Sequence, residues 1–98
     1  MAYHEKWDEI PDRDKDIHRA LESLKEEIEA VDWYHQRVCL AADDELRSVL
    51  AHNRDEEIEH AAMVLEWLRR TMPAWDDELR DYLFTDAPIA ELESDSRH

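Results

Sequence analysis

The residues with chemistry in them lie on one stripe in the second half of the chain. From Leu46 the periodic positions run Val49/Leu50, Asn53, Glu57, His60, Val64 and Trp67/Leu68. These are the steps of three and four that trace one helix face. Both ends of the stripe are apolar, and its middle holds a glutamate and a histidine at i and i+3. An unpaired carboxylate on a packing seam is expensive to desolvate. Either the seam is wet there or a cation neutralises it. Carboxylate oxygen with imidazole nitrogen is a donor set for divalent transition metals, and Glu-x-x-His is the element by which carboxylate-rich helix bundles hold pairs of iron ions.

These donors need a scaffold, and the preceding stretch supplies one. A first helix is predicted over about 13–40, with Asp12 or Asp14 as its cap and acids in its first turn. One stripe on it reads Ile17, Leu21, Leu24, Ile28, Val31, His35, Val38. An overlapping one reads Ala20, Leu24, Glu27, Val31, Tyr34, Val38 and again carries one carboxylate, Glu27. A short turn, Ala41 to Asp43, leads to a second helix capped by Asp43 and running to about Arg70, where Pro73 helps to stop it. Two long helices with a short connection form an antiparallel hairpin. Its turn centres near Ala42, with Glu27 fifteen residues before and Glu57 fifteen after. At ~1.5 Å per residue both carboxylates stand at one height, and His60 lies ~4.5 Å further along the same face as Glu57.

Composition supports this reading. The chain has 98 residues, no glycine and three prolines, so few residues break a helix. Twelve basic residues face 27 acidic ones, a net charge of −15. Nucleic-acid binding needs a basic face and none is visible, whereas cations suit such a field. A hydrophobic content of 43 % is too high for a disordered acidic chain. No apolar run approaches the ~20 residues of a membrane span, so no membrane partner is expected. Cys39 is the single cysteine, which excludes an internal disulfide framework, makes a reducing cytoplasm the default, and suits a small buried hydrophobe.

From Ala61 to Leu68 the one polar residue is Glu66. A helix that is apolar nearly all round is buried on more than one side, which a lone hairpin does not provide, so oligomerisation is expected. A third helix is predicted at about Pro73–Phe84, with Trp75, Leu79, Tyr82 and Leu83 on its apolar face. Residues 1–12 and 86–98 are expected to be flexible, with Trp7 and Ile10 as anchors in the first. His4, His18 and His98 are expected to be exposed. The expected fold is all-α: a single domain over 1–98, an antiparallel two-helix hairpin plus a short C-terminal helix, with a four-helix bundle completed by dimerisation. Such a bundle places one glutamate on each of two helices and Glu-x-x-His on each of two others. One chain supplies half, so a two-fold axis near Glu57 would assemble two Glu27, two Glu57 and two His60.

The sequence resembles a known family, the encapsulated ferritins, which are ferritin-like proteins housed in encapsulin nanocompartments. The resemblance covers about residues 18–89. It is carried by His18-Arg19-Ala20, by Glu26-Glu27-Ile28-Glu29-Ala30-Val31-Asp32-Trp33-Tyr34-His35-Gln36-Arg37, and by Ala51-His52-Asn53-Arg54-Asp55-Glu56-Glu57-Ile58-Glu59-His60-Ala61-Ala62-Met63. Leu65-Glu66-Trp67-Leu68-Arg69-Arg70 and Tyr82-Leu83-Phe84-Thr85 extend it. It implies a ferroxidase, with Glu27, Glu57 and His60 as ligands of a di-iron centre (Fe2+/Fe3+) shared by two subunits and Tyr34 beside the iron pair. It implies an outer metal-entry site at Glu26 and Glu29, with Trp33 beside it, able to take Ca or another divalent ion. It further implies dimers closing into a ring-shaped decamer, and an encapsulin shell protein as partner for iron storage and detoxification. Family members carry a C-terminal extension that docks on the inner wall of the shell. Here the residues after Phe84 run to Ser94-Asp95-Ser96-Arg97-His98 with no glycine and no apolar tail.

Other readings of the same residues stand beside this one. Glu26 and Glu29 also fit solvated face charges, and Tyr34 a packing residue with a satisfied hydroxyl. Trp33, Trp67 and Trp75 fit core or interface positions, His35 a hydrogen-bonded interface histidine, and His52 a peripheral ligand. The whole chain also fits a metal-free acidic helical interaction module, or a rubrerythrin-like di-iron peroxidase that differs in oxidant and reductant.

Overall fold

The absence of glycine and the spacing of the prolines leave long uninterrupted helices, and the computed structural model, which describes residues 4–93, shows them. Helix α1 spans Asp12–Leu40, α2 Asp44–Thr71 and α3 Pro73–Tyr82, with short 3-10 turns at Trp7–Glu9 and Ile89–Leu92. The turn between α1 and α2 is fixed from both sides. The Asp43 carboxylate accepts from the Leu46 amide at 2.8 Å, closing the start of α2. The Arg47 guanidinium donates to the Ala41 carbonyl at 2.6 Å and to Asp44 at 3.0 Å. At the open end, Arg13 donates to the Thr71 carbonyl at 2.8 Å. The two long helices are thus held in one register along their length.

Several details depart from the sequence reading. Pro11 occupies the cap position of α1 and no side chain closes it. Asp12 and Asp14 lie inside the first turn, where their charge meets the helix dipole but cannot act as an N-cap. Helix α3 ends at Tyr82 because Leu83 turns extended (φ −75°, ψ 146°) and Phe84 takes a positive φ of 59°. His18 is half-buried, its ring edge-on to Trp7 at 5.4 Å, while Lys15 and Arg19 place their cations over the same indole. Trp7 therefore anchors the segment before α1. His4 is exposed, and His98 lies outside the described residues. Cys39, expected to be buried, is exposed in the single chain, 3.8 Å from the His35 ring.

Burial is sparse. Among the described residues Leu68 alone is fully buried, while Ile28, Val49 and Met63 are each more than half exposed. The radius of gyration is 17.4 Å, against ~13 Å for a compact chain of this length. A hairpin two helices wide leaves each helix one open side. No helix among the described residues is long and apolar enough to cross a membrane.

The cap at the turn is a direct test of what sets the register. Asp43→Ala is expected to lower stability by about 1 kcal/mol, read as a fall in the urea midpoint at fixed protein concentration. An unchanged midpoint would mean that the cap does not hold the turn.

Candidate metal centre

The equal spacing about the turn puts Glu27 of α1 opposite Glu57 of α2, and the helical step adds His60 on the same face. One donor atom from each of the three lies within 4.8 Å of the others. The His60 Nδ1 is 3.7 Å from Oε2 of Glu27 and 3.7 Å from Oε2 of Glu57. These separations are too long for hydrogen bonds. They are of the size that a cation with ~2.0–2.2 Å bonds imposes on neighbouring ligands. Both glutamates keep 26 % of the side chain open, and His60 keeps 49 %.

Electrostatics mark the same point. Oε2 of Glu27 is closed off from solvent with no hydrogen-bond donor in reach. Two ionised carboxylates have no proton to share, so the facing Glu57 gives it none. The Glu57 carboxyl, followed by burial, pushes the Glu27 pKa above its ordinary value of 4.5, and His60 offsets part of this. A buried, unsatisfied carboxylate oxygen facing a second carboxylate and an imidazole is a position that a divalent cation satisfies and that an apolar neighbour does not. The residues present therefore fit a metal.

The other residues singled out from the sequence stand apart from this cluster. Glu26 and Glu29 are exposed on α1, outside the group of convergent donors. Tyr34 is half-buried two turns nearer the hairpin turn, ~10 Å from Glu27 along the axis, with the Arg37 guanidinium 5.1 Å above its ring. Trp33, Leu40, Leu46 and Leu50 line a groove of 820 Å³ beside the turn, away from the donors. His52 pairs with Glu56 at 3.4 Å. His35 Nδ1 lies 3.1 Å from the Arg54 guanidinium. Arginine has only donors, so this nitrogen accepts and ties α1 to α2. The sequence reading missed that tie, because periodicity ranks apolar positions and does not pair polar side chains across helices.

The EncFtn-like family matches residues 2–86. The chain belongs to this family. It is 63 % identical over 94 residues to the "Ferritin-like protein" of Thermotoga maritima, a match that covers 96 % of this chain and 82 % of that one. It is 54 % identical over 91 residues to the "Encapsulated ferritin-like protein" of Rhodospirillum rubrum, covering 93 % of this chain and 65 % of the relative. The solved structure of protein ne0167 from Nitrosomonas europaea superimposes with a TM-score of 0.87 at 61 % identity, over 90 % of this chain and 97 % of the other. The resemblance to encapsulated ferritins and the all-α ferritin-like fold are borne out, and membership points to an iron-related role.

The raised Glu27 pKa carries a sign that can be measured in metal-free protein. A carboxyl that holds its proton more tightly when folded stabilises most at pH below its ordinary value, and that contribution is lost as pH rises through the raised value. Glu27→Gln carries no charge at any pH. Its stability relative to the native chain is expected to grow as pH rises from the ordinary value of 4.5 through the raised one, followed by thermal unfolding at several pH values. A difference that stays flat with pH would remove the carboxylate pair from the account.

Proposed function

We propose that this chain is a ferroxidase that oxidises Fe(II) to Fe(III) at a two-iron site shared between two subunits, for iron storage and detoxification inside an encapsulin nanocompartment. The observation that carries the reading is the convergence of Glu27, Glu57 and His60 around a buried carboxylate oxygen that lacks any partner. One chain offers two carboxylates and one imidazole, half of the donor set of a carboxylate-bridged iron pair. A second copy related by a two-fold axis beside Glu57 doubles it, with carboxylates able to bridge the ions and one imidazole for each. The sparse burial of the single hairpin and its exposed Ile28, Ile58 and Met63 support a four-helix bundle completed by dimerisation.

In this reading iron is the substrate. Two Fe(II) ions give up one electron each, and an oxidant takes the pair: dioxygen with two protons leaves as hydrogen peroxide, or peroxide with two protons leaves as water. The four carboxylates hold the trivalent product's charge better than the divalent substrate's, which favours oxidation over its reverse. Glu26 and Glu29, exposed beside Trp33, act as the outer entry site and take Ca or another divalent ion; Tyr34, ~10 Å from Glu27 along α1, is the residue that the family resemblance assigns beside the iron pair. The name of the Rhodospirillum rubrum relative supports the encapsulin compartment and the shell protein as partner. A single domain assembling through dimers to a ring-shaped decamer, in the cytoplasm within that compartment, completes the proposal. The rival reading, a metal-free interaction module, leaves the Glu27 oxygen orphaned.

Glu57→Ala and His60→Ala are each expected to slow Fe(II) oxidation in air at least tenfold, with helix content by circular dichroism nearly unchanged. Native rates in both variants would sink the site. Metal and assembly are also expected to be coupled, because bound ions replace repulsion between the carboxylates of two chains. Native mass spectrometry should show Fe(II), or a redox-inert divalent mimic, shifting monomer toward dimer. Identical distributions with and without metal would mean that the site is not at a subunit interface, or that apolar contacts from Ala61 to Leu68 alone dominate assembly.

A further inference from the structure

Between Leu46 and Val64, Asn53 is the one polar residue of the α2 seam outside the ligand set. It lies one turn before Glu57 and two turns before His60 on the same face. Its side chain is half-buried, and among the described residues its amide makes no hydrogen bond. A polar amide on a packing seam costs free energy when a second chain covers it, unless that chain brings a partner. The other seam positions around it, Val49, Leu50 and Val64, are apolar and offer none.

His60 has the matching need. Its Nδ1 lies 3.7 Å from Oε2 of both Glu27 and Glu57, and so faces the position that a cation would take. A neutral imidazole carries one lone pair and one N–H. With Nδ1 as the ligand the proton sits on Nε2, and a ligating histidine is oriented by an acceptor for that proton. Among the described residues Nε2 has no partner, and 49 % of the side chain is open. Asn53 of the same chain does not serve. Seven residues of helix set the two backbones ~10.5 Å apart along the axis, and no hydrogen bond joins them.

A two-fold axis beside Glu57 changes this. Antiparallel copies of α2 then bring each residue before Glu57 level with the residue as far after it in the other copy. Asn53, four before, comes level with Ala61 of the partner subunit. That is one residue, ~1.5 Å of rise, from His60 of the partner subunit. An asparagine carbonyl is an acceptor with two lone pairs. The operation is symmetric, so each chain's histidine meets the other chain's asparagine.

We propose that Asn53 is a positioning residue that acts across the two-fold: its side-chain carbonyl accepts Nε2–H of the partner subunit's His60 and holds that ring with Nδ1 toward the carboxylates. This rests on the proposed metal-linked dimer. It makes each half of the site depend on the other chain for orientation as well as for donor atoms.

Co(II) binding, followed by visible absorption and calorimetry, tests this without turnover. Asn53→Leu and Asn53→Ala are each expected to weaken Co(II) binding roughly 10–100-fold, with helix content unchanged. A merely structural asparagine would not behave so: leucine fills its volume with no polar group to desolvate, and Co(II) affinity would stay native. Mixed dimers, made by co-expressing two differently tagged chains, separate action across the axis from action within a chain. An Asn53→Leu chain paired with a His60→Ala chain keeps one histidine facing an intact asparagine across the axis. It is expected to regain one tight Co(II) site per dimer. A chain carrying both substitutions, paired with a native chain, keeps His60 and Asn53 together in one chain only. It is expected to bind as weakly as Asn53→Leu. The reverse pattern, equal binding by both mixed dimers, or native affinity in both Asn53 variants would overturn the inference. Failure of the metal reading shows separately, because His60→Ala would then itself keep native Co(II) affinity.

Discussion

Two carboxylates held at one height on a seam that is otherwise apolar form the constraint around which this chain is built. Such a pair is unfavourable alone: each charge raises the cost of the other, and Oε2 of Glu27 finds no donor in the single hairpin. A cation bound between them would complete it. The hairpin then serves to keep the pair opposed. Long glycine-free helices, the Asp43 cap, the Arg47 contacts at the turn and the Arg13–Thr71 bond at the open end all act on register. A slip of one residue in α2 would rotate Glu57 and His60 by about 100° off the seam.

The price of that arrangement is a small core. Two helices and a short third enclose one fully buried side chain, and most large apolar residues stay at least partly open. Under the proposed dimer, folding and assembly would be one problem, with stability tied to the concentration of copies. The distribution of charge follows from the same demand. On a chain of −15 the Glu66–Arg69–Asp76–Arg80 network compensates acids locally, and Arg69 and Arg70 hold the Glu66 carboxyl down to about 2. At the Glu27–Glu57 seam a bound cation would take the place of the arginines.

Much of this was legible in the sequence, for reasons that can be named. Glu27 and Glu57 were readable because both interrupt apolar rows and both lie fifteen residues from the turn. The helix boundaries followed from Asp43 and Pro73, whose chemistry is local. Residues whose state depends on nonlocal partners were not readable. Cys39, read as a small buried hydrophobe from its residue type, is exposed in the single chain. His18 is covered by Trp7, whose approach depends on a 3-10 turn that carries no periodic signal. The Arg54–His35 and Arg69–Asp76 links join helices through long polar side chains, which hydrophobic patterning does not register. The end of α3 turns on a positive φ at a phenylalanine, which residue type argues against.

The central claim is that iron binds where two copies of Glu27, Glu57 and His60 meet. Anomalous diffraction at the iron edge, from crystals soaked in Fe(II), tests it most directly. The account predicts a pair of iron peaks astride a two-fold axis, each held by these three residues with donors from both chains. Iron held elsewhere, or held by the three residues of one chain alone with no second copy across the seam, would contradict it.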